Sequence, residues 1–257
     1  MIFRDVTILG SGTIVPLPKH GCSGYLLGCD SRPVLFDCGP GILCRLAEIG
    51  ISAAQIHTLF ITHFHLDHVS DLAALLNSRW LQSASGARNL EIIGPAGTDA
   101  HLSWLGLKMD SWFLDYRFDI HENEREPDVS TGMKVLTGRT GHTDDSVCFR
   151  VEDDRGQVFF YSGDTDYNEE LVPLAKGADI AVIECSMPDE AKVDGHLTPS
   201  LAAKIGRLSG VRKLVLTHFY KEVTAVDILS QARAEFAGPV ILAEDLMRIP
   251  FDDAANG

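Results

Sequence analysis

The chain has 257 residues, of which 45% are hydrophobic and 23% charged, and it carries a formal net charge of −14. That length can bury a sizeable core, while the apolar runs are too short and interrupted for a membrane-spanning helix. The acidic balance repels polyanions and argues against an extended nucleic acid as substrate, favouring a small molecule, although metal ions can invert the potential inside one cleft.

The opening "MIFRDVTILG" reads as a strand rather than a signal peptide, so a cytoplasmic location is expected, with no membrane partner. Further strands are expected at "SGYLLGC" and "RPVLFDCG", then a helix at "GILCRLAEIG" with Gly50 as its C-cap. The strand "IHTLFIT" precedes a helix near 70–83, and "NLEIIGP" is another strand. The segment 98–118, with Trp104, Trp112, Phe113 and Tyr116, reads as a helical excursion packed on the core, or as a lid. A local acidic cluster, "DIHENEREPD", follows at 119–128.

Later strands are expected at "GMKVLTG", "DSVCFRVE", "GQVFFYSG", "ADIAVIEC", "VRKLVLTH" and "PVILAE", and the tail "DDAANG" reads as frayed. In "LTPSLAAKIGRLSG", Thr198 can cap a helix that opens on Pro199. Two echoes suggest duplication: "TLFITHF" (58–64) with "KLVLTHF" (213–219), and "VLFDCG" (34–39) with "VFFYSG" (158–163). The six cysteines show no C-x-x-C pair and read as structural or incidental thiols rather than disulfides.

The informative residues stand just beyond apolar strands. His63, His65, Asp67 and His68 follow "LFIT", His142 follows "MKVLT", Asp164 follows "VFFYSG", and His218 follows "LVLT". Such an edge is where an α/β fold places its site. Once the chain has left its strand, His63 and His65 can converge on one metal, with Asp67 and His68 directed to a second position nearby. Imidazole suits zinc, iron or nickel, and a carboxylate can bridge two ions. Three histidines and an aspartate this close would be costly to bury without a metal. His20, His57, His101 and His121 read as ordinary surface or core histidines.

The H-x-H-x-D-H pattern with later His, Asp and His resembles the metallo-β-lactamase superfamily over nearly the whole chain. The resemblance implies an α/β fold, a four-layer αββα sandwich of two similar halves, with residues 1–257 as a single domain. It also implies two divalent metal ions, zinc foremost, with manganese or iron as alternatives. His63, His65 and His142 would bind one ion, Asp67, His68 and His218 the other, and Asp164 would bridge. Within the superfamily, residues 9–46, "IIGPAGT" and "YSGDT" look like ribonuclease Z. In "ECSMPDEAKVDGHLTP", Glu184 and His196 match a Glu–His pair of that branch, although Leu197 stands where serine is usual. A carboxylate paired to an imidazole holds its tautomer and raises its pKa, which suits a general acid. "GSGT" reads as a tight turn between strands, not a nucleotide loop, because no long helix follows it.

One feature departs from the tRNA-processing enzymes of that branch, which carry a long basic arm. Only 21 residues separate His142 from Asp164, enough for two strands and a turn. The expected function is therefore a dinuclear phosphodiesterase acting on small phosphodiesters, with Asp67, His196 and Glu184 as its catalytic residues. The alternatives are tRNA 3′-end processing, hydrolysis of a lactone, thioester or sulfate ester, and a vestigial metal-binding module. A homodimer is the expectation carried over from that branch.

Overall fold

The computed structural model describes residues 1–30, 32–82, 89–106, 117–122 and 124–252. The first sheet starts with antiparallel β1 (Phe3–Gly10), β2 (Gly24–Cys29) and β3 (Val34–Phe36). It continues in parallel through β4 (Thr58–Phe60), β5 (Asn89–Gly94) and β6 (Arg117–Glu122). The second sheet repeats this plan. Antiparallel β7 (Lys134–Arg139), β8 (Val147–Glu152) and β9 (Val158–Tyr161) lead into parallel β10 (Ile180–Glu184), β11 (Lys213–Thr217) and β12 (Val240–Leu242). A last strand, β13 (Arg248–Pro250), crosses back to pair with β1.

The duplication is therefore topological: both sheets run antiparallel, antiparallel, then three times parallel. "VLFDCG" and "VFFYSG" fall on β3 and β9, the third strand of each half. The other echo joins β4 to β11, the fourth strand of one half to the fifth of the other, and marks no equivalent position.

Helices α1 (Ile42–Glu48), α2 (Leu66–Val69), α3 (Leu72–Gln82) and α4 (Thr98–Gly106) lie outside the first sheet. Their Ile42, Leu46, Leu72, Leu75 and Leu102 pack on Leu26, Leu35, Leu59 and Ile92. Helices α5 (Leu171–Ala175), α6 (Pro199–Ser209) and α7 (Ile228–Glu235) cover the second sheet. This is the expected four-layer αββα sandwich. Strands covered on both faces read as continuous apolar runs, and "VLF", "TLF" and "IAVIE" are buried at every residue.

Local signals explain the helix ends. Thr198 Oγ1 accepts from the Leu201 N–H, Pro199 opens α6, and Gly210 ends it in the left-handed region at φ 65°. At α1 the cap is Ile49, and Gly50 is the left-handed residue after it. Its N–H reaches Ala47 O while that of Ile51 reaches Leu46 O, a Schellman ending.

Between the sheets, Phe36 stacks on Phe60 at 4.5 Å, and Phe149 and Phe159 meet them edge-on at 4.9 and 5.1 Å. All four rings are fully buried. Phe60→Ala should cost about 3–5 kcal/mol, read as a lower urea midpoint at unchanged m-value. A loss below 1 kcal/mol would contradict this packing.

One expectation fails in part here. Of the helical stretch expected over 98–118, Thr98–Gly106 forms α4, while Arg117 and Phe118 belong to β6. In "RFDIHE" the alternation that marks a strand is hidden by acidic residues: Phe118 and Ile120 pack toward the helices while Asp119 and His121 take the other face. Trp112, Phe113 and Tyr116 lie outside the described residues, as does the proposed lid beyond Gly106 and most of the tail. Among the described residues no helix is long and apolar enough to cross a membrane. β13 and α7 carried no signal strong enough to be read.

Candidate metal centre

The parallel strands of both sheets point their C-terminal ends to one edge, and the predicted residues gather there. After β4 the chain stays extended through His63, and His65 is the N-cap residue of α2 at φ −63°, ψ 148°. Asp67 and His68 occupy the single turn of α2 and are buried. A close approach holds this turn in place: the Cys38 N–H donates to His68 O at 2.6 Å, and a Cβ on Gly39 would collide with the Asp67 carbonyl. His142 follows β7, Asp164 follows β9, Glu184 ends β10 and His218 follows β11. His218 has φ 62°, a strained conformation for a non-glycine residue at the place where its ring enters the cluster.

Two clusters form around one carboxylate. His63, His65, His142 and Asp164 bring ligating atoms within 4.8 Å of one another, as do Asp67, His68 and His218. Asp164 Oδ2 lies 3.7 Å from Nε2 of both His63 and His142. Its Oδ1 lies 3.4 Å from Nε2 of both His68 and His218. The structure thus brings together all seven residues that the sequence nominated as ligands.

Outer partners fix the imidazole tautomers. His68 Nδ1 donates to Asp37 Oδ2 at 2.8 Å, and His142 Nδ1 to Gly195 O at 2.9 Å. Thr62 Oγ1 donates to Asp37 at 2.9 Å and so accepts from His63 Nδ1 at 3.0 Å. Ser186 Oγ donates to Glu184 at 2.6 Å and so accepts from His218 Nδ1 at 2.9 Å. With a proton on each Nδ1, four Nε2 atoms face inward, each free to ligate once it carries no proton of its own. Nε2 of His63 and Oδ1 of Asp164 are buried with no hydrogen-bond partner, and Nε2 of His68 lies 3.4 Å from that of His218. Lone pairs converging on a carboxylate repel one another unless cations lie between them. The donor set fits two divalent metal ions.

Protonation agrees. Burial, then the charge of His68, pushes His63 well below its ordinary pKa, and burial lowers His65. Both are neutral and ready to ligate. Burial also acts against charge on His68, but the Asp164 and Asp37 carboxylates outweigh it and raise its pKa. Metal binding at that cluster must therefore displace a proton. Burial would raise the Asp67 carboxyl, yet its close contact with His218 and the charge of His68 hold it below its usual range.

Beside the clusters stands the expected pair. His196 Nδ1 lies 3.0 Å from Glu184 Oε1, with its ring 4.7 Å from that of His142 and 5.8 Å from that of His218. Glu184 is buried and fully engaged, accepting from Thr165 N, Ser186 Oγ and Leu197 N. Burial opposes charge on His196, but the Glu184 hydrogen bond raises its pKa overall. Tyr220 packs edge-on to both His196 and His218, its hydroxyl pushed up to about 12 by burial.

Asp37, Thr62, Tyr161 and Ser186 were missed from sequence. Asp37 had a signal, because it follows the apolar strand "VLF" as Asp164 follows "VFFYSG". It is fully buried, at φ 55°, and also accepts from the Tyr161 hydroxyl at 2.8 Å. Asp37→Asn should weaken metal affinity about 10–100-fold in a chelator competition while leaving the circular dichroism spectrum intact. Unchanged affinity would show that Asp37 does not orient His68.

The model of the β-lactamase superfamily domain matches residues 32–219. The chain belongs to the β-lactamase superfamily. An uncharacterised protein from Mycobacterium tuberculosis is 32% identical over 241 residues, covering 91% of this chain and 88% of that protein. A ribonuclease Z of Mycobacterium avium is 32% identical over 277 residues, covering 96% of this chain and 98% of that enzyme. The crystal structure of the short form of human tRNase Z superposes with a TM-score of 0.78 at 29% identity, covering 97% of this chain and all of that one (100%). Superfamily membership together with the His/Asp clusters supports a metal-dependent hydrolase.

One expectation is overturned by these relatives. The net charge argued against an extended nucleic acid as substrate, yet enzymes named for RNA and tRNA match this chain from end to end. Charge summed over the whole surface does not set the potential of a cleft built to hold two dications.

Proposed function

We propose that this protein is a dinuclear phosphodiesterase of the ribonuclease Z type that cleaves RNA phosphodiesters. The observation that carries this reading is the end-to-end similarity to ribonuclease Z, covering 96% of this chain and 98% of the Mycobacterium avium enzyme. The Glu184–His196 pair, 3.0 Å apart beside the clusters, supports it.

His63, His65 and His142 would hold one ion, Asp67, His68 and His218 the other, and Asp164 would serve both. We propose zinc, which such an imidazole-rich donor set suits. When bound, the ions supply an activated water and neutralise charge on the phosphoryl oxygens. Asp67, whose Oδ2 accepts from the Ile14 N–H at 3.2 Å, would orient the attacking water through its carboxylate. His196 donates a proton to the departing oxygen as the P–O bond breaks. Glu184 keeps the other ring proton on Nδ1, so that the imidazolium presents Nε2–H to the substrate.

A second reading, a small phosphodiester at the same site, rests on chain length. The match to the Mycobacterium avium enzyme runs over 277 residues, more than the 257 here, so that enzyme carries segments this chain lacks. In the described structure the stretch between His142 and Asp164 holds only β8, β9 and their turns. The two readings separate on a 3′-extended transfer RNA precursor assayed beside a small aryl phosphodiester. The first predicts kcat/KM for the precursor at least about a hundredfold higher, a difference of roughly 2.7 kcal/mol in transition-state binding. Cleavage of the aryl diester with an untouched precursor would overturn it in favour of the second.

A further inference from the structure

Among the described residues, the proposed catalytic centre leaves one cluster of ligating side chains unused. Asp119 and His121 sit two residues apart on β6, and Glu91 on β5 pairs with Asp119 in the parallel register. All three project from the same face of the first sheet, opposite Phe118 and Ile120. Their ligating atoms lie within 4.8 Å of one another. His121 Nε2 is 3.8 Å from Glu91 Oε1 and 4.0 Å from Asp119 Oδ1. The gaps between imidazole and Asp164 at the metal centre, 3.4–3.7 Å, are close to these.

The state of His121 points to a cation. Its Nε2 is shielded from solvent and has no hydrogen-bond partner, while the ring as a whole is 13% exposed. Its Nδ1 faces Glu124 Oε2 at 3.4 Å, and its Nε2 is directed between two further carboxylates without a hydrogen bond to either. Three carboxylates around one imidazole concentrate negative charge that a dication ligated at Nε2 would neutralise. The same carboxylate–imidazole relay, Asp37 to His68, orients a ring at the metal centre. Glu91 is held ready: it is 5% exposed, accepting from Thr58 Oγ1 and Ser130 Oγ at 3.1 Å each and from Ser130 N at 2.5 Å.

We propose that Glu91, Asp119 and His121 bind a divalent cation of the zinc or manganese class. One imidazole with two carboxylates suits these ions better than calcium or magnesium, which favour all-oxygen shells. Glu91 pairs with Thr58 at the start of β4, whereas the metal centre follows that strand's end, so the two sites lie toward opposite ends of the sheet. A bound ion clips the edge strand β6 to β5 and, through Glu91, to the turn at Ser130. Its role is structural, and His121 is more than the incidental histidine expected from sequence.

The test is equilibrium dialysis of the whole protein against micromolar zinc, with bound metal counted by mass spectrometry. Wild type should retain one equivalent more than either His121→Ala or Asp119→Asn. The variants should keep wild-type hydrolytic rates and melt several degrees lower in zinc, but not in chelator. Neither residue belongs to the proposed catalytic centre, so the one-equivalent difference is expected even from a chain inactive on every phosphodiester. Equal zinc content in wild type and either variant overturns the proposal. Asp119 is exposed, with its side chain 74% accessible, so that variant should fold whatever becomes of the other.

Discussion

Asp164→Ala should reduce hydrolysis at least about a thousandfold, the largest loss expected of any single substitution here. One carboxylate faces both clusters, Oδ2 toward His63 and His142, Oδ1 toward His68 and His218. Removing it leaves His63, His65 and His142 with no carboxylate among them, strips the other cluster of one of its two carboxylates, and leaves neither ion position complete. Several kcal/mol of transition-state stabilisation depend on that pair of positions, and each 1.36 kcal/mol is a factor of ten in rate. Metal content should fall together with the rate, which separates this cause from a local packing defect. Asp164→Asn, which keeps the shape but not the charge, should lose nearly as much. A rate within tenfold of wild type in the alanine variant would show that Asp164 is not shared between two working positions.

The second large effect belongs to His196. His196→Ala should cut kcat by about 10²–10⁴ on an RNA or alkyl diester, the usual range for a general acid, and far less on an aryl diester with a good leaving group. KM should change little, because the loss is confined to the transition state. The pH profile carries the sharper signature. An acid works in its protonated form, so the rate falls as pH rises through the His196 pKa. Burial alone would lower that pKa, and the Glu184 hydrogen bond raises it overall. Glu184→Gln removes the largest of the effects that oppose burial, leaving only the more distant charges of Asp164 and Asp67, so the alkaline limb should move to lower pH. A limb that stays in place, or moves upward, would show that Glu184 does not set the proton affinity of His196.

Much of this was legible before any coordinates. Alternation and continuous apolar runs mark strands, and the polar residue just past each strand is what an α/β edge presents. That rule alone collected His63, His65, Asp67, His68, His142, Asp164 and His218. It failed for β6, where Asp119 and His121 disguise a strand as an acidic loop, and for β13, three residues that end on Pro250. Asp37 was within reach of the rule and was passed over because its side chain turns behind His68 instead of into the cleft. Thr62 and Ser186 act through a single hydroxyl each, and composition gives no warning of that. Global charge misled most. A total of −14 says how the surface meets a polyanion, not what a cleft holding two cations accepts.

The most direct test is hydrolysis of an aryl phosphodiester by the protein as purified, after exhaustive chelation, and after zinc is restored. Activity that disappears on chelation, returns with zinc and never returns in His63→Ala is the result predicted from the two clusters around Asp164. Turnover that persists in chelated protein, or zinc-loaded protein that cleaves no phosphodiester at all, would contradict the assignment of this site as a metal-dependent phosphodiesterase.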